Sequence, residues 1–459
     1  MVGIKKNEIL QQINPLDHYP VPDGNGKMNE KEVFTFMSAL RNKTKEWASR
    51  KEYGIVKETW VIPIDKIERE EGGVAGVVIG YGLAESKEPG FPHTPMVWMI
   101  PINSEESLKT WNDEYKGVER ADILQKFIEA KLVNEDDGSL GGAGQLVTNV
   151  HGWGGNPFFP WRSIRAMGVA AKKNKIDLQK TVFLSLGTQG SLGTADNRPN
   201  TKSLDMVPNQ IQGTMDYVRD QLIENSHKSR INDDNEKMKL NFAERMKLMI
   251  GHSMGGWAVL RWLLDRDKRF DWHDEHKNLK VLSMDMATIG SEATMEERRI
   301  TESYLGILIN EQNVTLHEAP IRGFLTKHAG VILKNDFIRN TAYQLGILKL
   351  LIGGFMGKNR DWETILHKES TLNDLGMIDT NNWMLRKAKP IIRSEDELIA
   401  AQRLVVDGQL LFAYGEEDQT LAPGPIASAV EKLFGKNIGN TENHYAGTDF
   451  FALIIHLFA

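Results

Sequence analysis

LMIGHSMGGWAVLRWLL, residues 248–264, reads as a strand, a tight turn and a helix in immediate succession. Leu248, Met249 and Ile250 form a short apolar run, and Trp257, Val259, Leu260, Leu263 and Leu264 recur at helical spacing. Between them lies Gly251-His252-Ser253-Met254-Gly255-Gly256, a G-x-S-x-G pattern. A serine at such a turn projects its hydroxyl above the edge of a sheet. Side chains two positions to either side would collide with the crossing strand and helix, which is what the glycines avoid. The N-terminus of the following helix favours negative charge developing beside it. A glycine turn carrying an incidental serine is the bland alternative; the strand before and the helix after are what weigh against it.

Working outward, short apolar runs alternate with amphipathic stretches. Strands are expected at 146–150, 181–186, 246–250, 279–286 and 409–414, and helices at 161–174, 211–225 and 255–264. That rhythm implies crossover units and a mostly parallel central sheet with helices on both faces, an α/β architecture. Runs rich in Val, Ile, Tyr and Trp at 55–64, 76–83 and 96–102 add earlier strands, followed by a helical, charged stretch over 105–132. Residues 1–50 are polar and read as an N-terminal extension with a helix over 29–50, whose Val33, Phe36, Met37, Leu40 and Trp47 share one face. Segment 290–397 breaks the rhythm and is expected to be a large helical lid inserted in the core, which comprises 51–289 and 398–459. Asp233-Asp234-Asn235-Glu236 reads as an exposed turn.

The 459 residues are 41% apolar and 26% charged, enough to bury a large core. A net charge of -6 has the wrong sign for a protein that lives on nucleic acid phosphates. The chain has no cysteine, which excludes disulfides, thiolate nucleophiles and Cys-ligated metal sites. MVGIKKNEIL at the N-terminus lacks the apolar stretch of a signal peptide, and the apolar runs at 345–356 and 450–459 are too short to cross a bilayer. A soluble, cytoplasmic protein is therefore expected. Gly142-Ala143-Gly144 precedes a strand, whereas a dinucleotide fingerprint would follow one, so no cofactor is expected. Trp272-His273-Asp274-Glu275-His276 holds potential metal ligands but reads better as a solvated loop.

The motif order resembles the α/β-hydrolase superfamily, and Gly251–Gly256 is similar to the elbow of many of its lipases, esterases and thioesterases. The resemblance covers roughly 146–286 and 409–451. It implies Ser253 as nucleophile, followed along the chain by an acid and then a histidine. His151-Gly152-Trp153-Gly154-Gly155, after the strand at 146–150, resembles the superfamily's His-Gly-rich oxyanion loop. One oxyanion donor would be the Met254 amide and the other that of Trp153 or Gly152. His151, His252, Phe158 and Phe159 are candidate substrate contacts, although the aromatics could equally be plain core.

For the acid, the strand at 409–414 leads into Gly415-Glu416-Glu417-Asp418, which resembles the acid-bearing loop and selects Asp418. Glu416, Glu417 and Asp285, at the end of the strand at 279–286, stay open as alternatives. Only His444 and His456 follow Asp418, and His444 sits in a loop where a base could reach over the sheet edge. The reading that results is a serine hydrolase acting on a small-molecule acyl ester. An acyltransferase or thioesterase would use the same constellation, and a binding protein on this scaffold is the non-enzymatic rival. The apolar stretches at 304–309 and 345–356 could make the lid touch lipid, or could simply be the buried faces of its helices. The sequence sets no oligomeric state.

Overall fold

The computed structural model describes residues 14–21, 28–63, 74–86, 93–113, 115, 117–134, 144–152, 155–158, 178–187, 192, 205–229, 235–266, 279–284, 365–366, 369 and 391–413. Eight strands form one sheet: β1 (Gly54–Pro63), β2 (Gly76–Glu85), β3 (His93–Ile102), β4 (Gln145–Val150), β5 (Thr181–Leu186), β6 (Met246–His252), β7 (Lys280–Met284) and β8 (Leu410–Ala413). Their order across the sheet is β1-β2-β3-β5-β4-β6-β7-β8. The first three strands form an antiparallel meander that joins β5 antiparallel, and β5, β4, β6, β7 and β8 run parallel to one another. The mostly parallel α/β sheet expected from the alternation of runs is present, with the strands within a few residues of their expected bounds.

The inner strands are buried on both faces, and their pleat divides the core in two. Met96, Trp98 and Ile100 of β3 point into one apolar cluster, and Val97 and Met99 into the other. Helices α2 (Glu105–Asp113), α3 (Gly117–Leu132), α4 (Met206–Ser229), α5 (Asn235–Arg245), α6 (Met254–Arg266) and α7 (Glu395–Val406) follow the chain. Residues of α2 to α7 contribute to the first cluster. The helix expected at 255–264 is thus α6, and the stretch 105–132 resolves into two helices. The expected helix at 161–174 lies outside the described residues.

The opposite face is covered by the N-terminal helix α1 (Glu30–Arg50), whose Val33, Phe36, Met37, Leu40 and Trp47 are all buried. Asn29 caps it by accepting from the Lys31 amide at 3.1 Å, and Lys51 ends it in the left-handed region at φ 57°. Within segment 1–50, set apart in the sequence by its polarity, α1 packs its apolar face into this second cluster. Ile365 and Leu366 belong to the same cluster, and the buried Glu369 accepts from Arg41 of α1 at 3.1 Å. These described residues of 290–397 are core, as are Ile391 and Ile392, and the segment's last residues, Glu395–Glu397, already form the first turn of α7; the remainder of the expected lid lies outside the described residues. Asn235 and Glu236, read as part of an exposed turn, instead open α5, because Asp and Asn clusters mark helix starts as well as turns. Among the described residues no helix is long and apolar enough to cross a membrane.

Candidate active site

Chain order and sheet order part company at β4. Its successor β5 lies on one side of it and β6 on the other, so the crevice beyond the carboxyl ends of β4 and β6 is a topological switch point, where open α/β sheets bind ligands. Two loops meet there: Ser253 between β6 and α6, and His151-Gly152 after β4.

Ser253 has φ 54°, one of three non-glycine residues with positive φ among those described. Left-handed backbone costs a non-glycine residue about 1–3 kcal/mol and persists where surrounding structure imposes it. Here its N–H donates to the Met284 carbonyl at the end of β7 at 2.8 Å, and its carbonyl accepts from the Trp257 amide at 3.2 Å. Both neighbours thus hold the turn. Met254 opens α6, so the helix itself leaves its N–H unused. Ser253 is half-buried, Met254 buried and His252 exposed.

The glycines are explained by contact. A methyl group on Gly251 would lie 2.3 Å from the Gly255 carbonyl oxygen, and one on Gly255 would lie 2.3 Å from the Val150 carbonyl oxygen and 2.7 Å from that of His151. These are the helix and strand collisions expected from the sequence. Because the obstacles are backbone, Gly255→Ala must push α6 off β4. We expect it to destabilise the protein by about 1–3 kcal/mol in urea unfolding and to lower activity; an unshifted midpoint would refute the packing account.

The second loop lies against the first: a methyl group on Gly152 would lie 2.8 Å from Ser253 Cβ and 2.8 Å from the His252 carbonyl oxygen. The Gly152 carbonyl accepts from the Gly155 amide at 3.1 Å and lies 2.8 Å from His151 Nδ1. A carbonyl only accepts, so Nδ1 carries the proton of a neutral imidazole. Burial pushes the His151 imidazole down to about 4; the Gly152 carbonyl opposes this shift and His252 adds to it. Between pH 6.5 and 4 the unfolded chain therefore binds a proton that the folded chain refuses. The stability present above pH 6.5 is lost as pH falls through that window, by up to about 3 kcal/mol from this residue. Urea unfolding at pH 7 and pH 4.5 checks this: His151→Gln should weaken the acid-induced loss, and an equal loss in both proteins would contradict it.

Asn156, passed over in the sequence, helps to shape the same loop: it is buried, and its Oδ1 accepts from the Phe158 amide at 2.9 Å. The available signal was Asn156-Pro157, a turn-forming pair. Phe158 is fully buried, with its ring stacked on Tyr81 at 6.1 Å, which are the surroundings of a core residue. Of the other expected site residues, Trp153, Phe159, Asp285, Glu416, Glu417, Asp418, His444 and His456 lie outside the described residues, as does the 272–276 cluster. The described geometry unites Ser253, His252, Met254, His151 and Gly152.

No protein-family model matches the sequence, and no curated protein does. Among solved structures, a homoserine O-acetyltransferase from Staphylococcus aureus is similar at 12% identity and a TM-score of 0.34, over 83% of this chain and 94% of that one. An acetylester hydrolase from Corynebacterium glutamicum shows 10% identity and a TM-score of 0.34, over 86% of this chain and 99% of that one. Candida antarctica lipase A shows 9% identity and a TM-score of 0.32, over 92% of this chain and 78% of that one.

Proposed function

We propose that the protein is a serine hydrolase of carboxylic esters. The observation that carries this reading is Ser253 at φ 54° on the β6–α6 turn, at the switch point of the sheet and against the His151-Gly152 loop. Strain of this kind at the mouth of a crevice points to a group held for chemistry. In this reading Ser253 Oγ attacks the acyl carbonyl, His444 takes its proton and later returns it to the leaving group, and Asp418 orients the imidazole. Water then releases the acyl group from the enzyme, and no cofactor takes part.

The tetrahedral intermediate needs two donors. Met254 supplies one, since its amide opens α6, while the Ser253 amide is committed to Met284. For the other we assign Trp153, with Gly152 as the alternative. The Gly152 carbonyl itself is held, by the Gly155 amide and beside His151 Nδ1. His252, exposed beside Ser253, is the described candidate for contact with substrate. Phe159 and the apolar stretches of 290–397 are assigned to acyl selection, and a lipid interface would be formed by the latter.

A fluorophosphonate probe tests the reading: the folded protein should be labelled, and peptide mapping should place the adduct on Ser253. A folded protein that resists labelling would favour the binding-protein rival. A panel of acyl esters of increasing chain length, assayed with and without an alcohol or thiol acceptor, then separates hydrolysis from acyl transfer by product partitioning.

A further inference from the structure

Arg261 lies on α6 eight residues beyond Ser253, about 12 Å along the helix axis. Its side chain is fully buried. Nη1 donates to Glu397 Oε2 at 2.8 Å and to the Ile391 carbonyl at 2.6 Å; Nη2 donates to Glu397 Oε1 at 3.0 Å and to Asp265 Oδ1 at 2.5 Å. Glu397 Oε2 also accepts from the Arg393 amide at 2.8 Å. Arg393 pairs in turn with Asp205, just ahead of α4. Burial alone would lower the Arg261 pKa, but the bonds to Glu397 and Asp265 outweigh it and hold the charge on.

Two features make this more than an ordinary ion pair. First, Glu397 is the third residue of α7, behind the cap Ser394, whose Oγ accepts from the Glu397 amide at 3.2 Å. In the usual capping box that carboxylate turns back to its own helix start. Here it reaches the amide of Arg393, just before the cap, and also forks onto Arg261. Second, a buried ion pair adds little stability over an apolar pair of similar volume, whereas it does fix register, because a shift of either partner strands a charge in the core. The pair joins residues 136 positions apart, where the chain returns from the long segment after β7 to enter α7 and β8.

We propose that Arg261 and Glu397 are positioning residues: their fork locks the helix behind Ser253 to the α7–β8 crossing, and so fixes Ser253 relative to β8. The link to catalysis rests on the serine reading; the mechanical coupling does not. In the test, Arg261→Met/Glu397→Leu replaces the charges with an apolar pair, and Glu397→Gln keeps shape but halves the charge pairing. Amide hydrogen exchange is read at 253–257 and 410–413, alongside kcat, KM and fluorophosphonate labelling on the intact chain.

The double variant should melt within a few degrees of wild type, yet exchange about tenfold faster at both elements and lose about tenfold in kcat with little change in KM. Faster exchange confined to the immediate surroundings of 261 and 397 overturns the coupling, and an unchanged kcat in the folded double variant overturns the positioning role. If the double variant fails to fold, Glu397→Gln decides by the same readouts. A wild type that resists the probe would remove the serine reading and the catalytic role, while the exchange data would still decide whether the coupling exists.

Discussion

Replacing Ser253 by alanine should lower ester turnover by about 10⁴-fold or more and abolish fluorophosphonate labelling, with the fold intact. Ser253 is held by its backbone: its amide bonds to the Met284 carbonyl and its carbonyl to the Trp257 amide, and alanine keeps both. The hydroxyl can therefore be removed without releasing the turn. Ser253→Gly should be equally inactive but about 1 kcal/mol more stable than Ser253→Ala, since glycine adopts φ 54° without the clash a β-carbon brings. This gain is what a residue strained for function predicts. Ester turnover surviving in Ser253→Ala would end the nucleophile assignment. A glycine variant no more stable than the alanine one would show that the turn carries no strain to release.

Why the turn was readable in the sequence follows from its locality. The requirement at Gly251 is set by Gly255 and Val259 on the helix that follows it, so the residue types declare it, whereas that at Gly255 is set by Val150 and His151, far back in the chain, and shows only through the motif. As at Gly251, the residue types declare β2 and β3, whose Val, Ile, Tyr and Trp content reflects burial on both faces. What escaped depends on distant partners. The apolar stripe of α1 was visible, but its place on the sheet was not, because nothing local says that the meander β1–β3 leaves a face for it. The side-by-side order of β4, β5 and β6, which creates the crevice, is a choice of crossover direction that alternating runs do not encode. Phe158 could have faced either ligand or core; Tyr81 and Tyr19, which surround it, lie 77 and 139 residues before it in the chain. A lone arginine between Leu260 and Trp262 likewise gives no hint of a carboxylate 136 residues on.

Sheet geometry also bears on the acid, and Asp418→Asn is expected to lower kcat by about 10⁴-fold, whereas Asp285→Asn should change it by less than about tenfold. The two positions follow neighbouring strands: Asp285 comes directly after β7, and Asp418 comes five residues after β8. Seen from Ser253 at the end of β6, β7 is one strand away and β8 two, about 5 and 10 Å at ordinary strand spacing. An imidazole that accepts from the serine and donates to the acid needs two hydrogen bonds of about 2.8 Å plus its own width between them. The nearer strand end leaves little room for it, because Met284 is already bonded to the Ser253 amide at 2.8 Å. At the end of β8, one strand farther off, that crowding does not arise, and Asp418 remains the proposed acid and His444 the proposed base. Asparagine in place of the true acid keeps the size but can hold the imidazole in the wrong tautomer, so the loss should fall on kcat and not on KM. Measured side by side, a severe loss in Asp285→Asn with a mild one in Asp418→Asn would move the acid to the end of β7 and require the histidine to approach from the β4 side of the crevice.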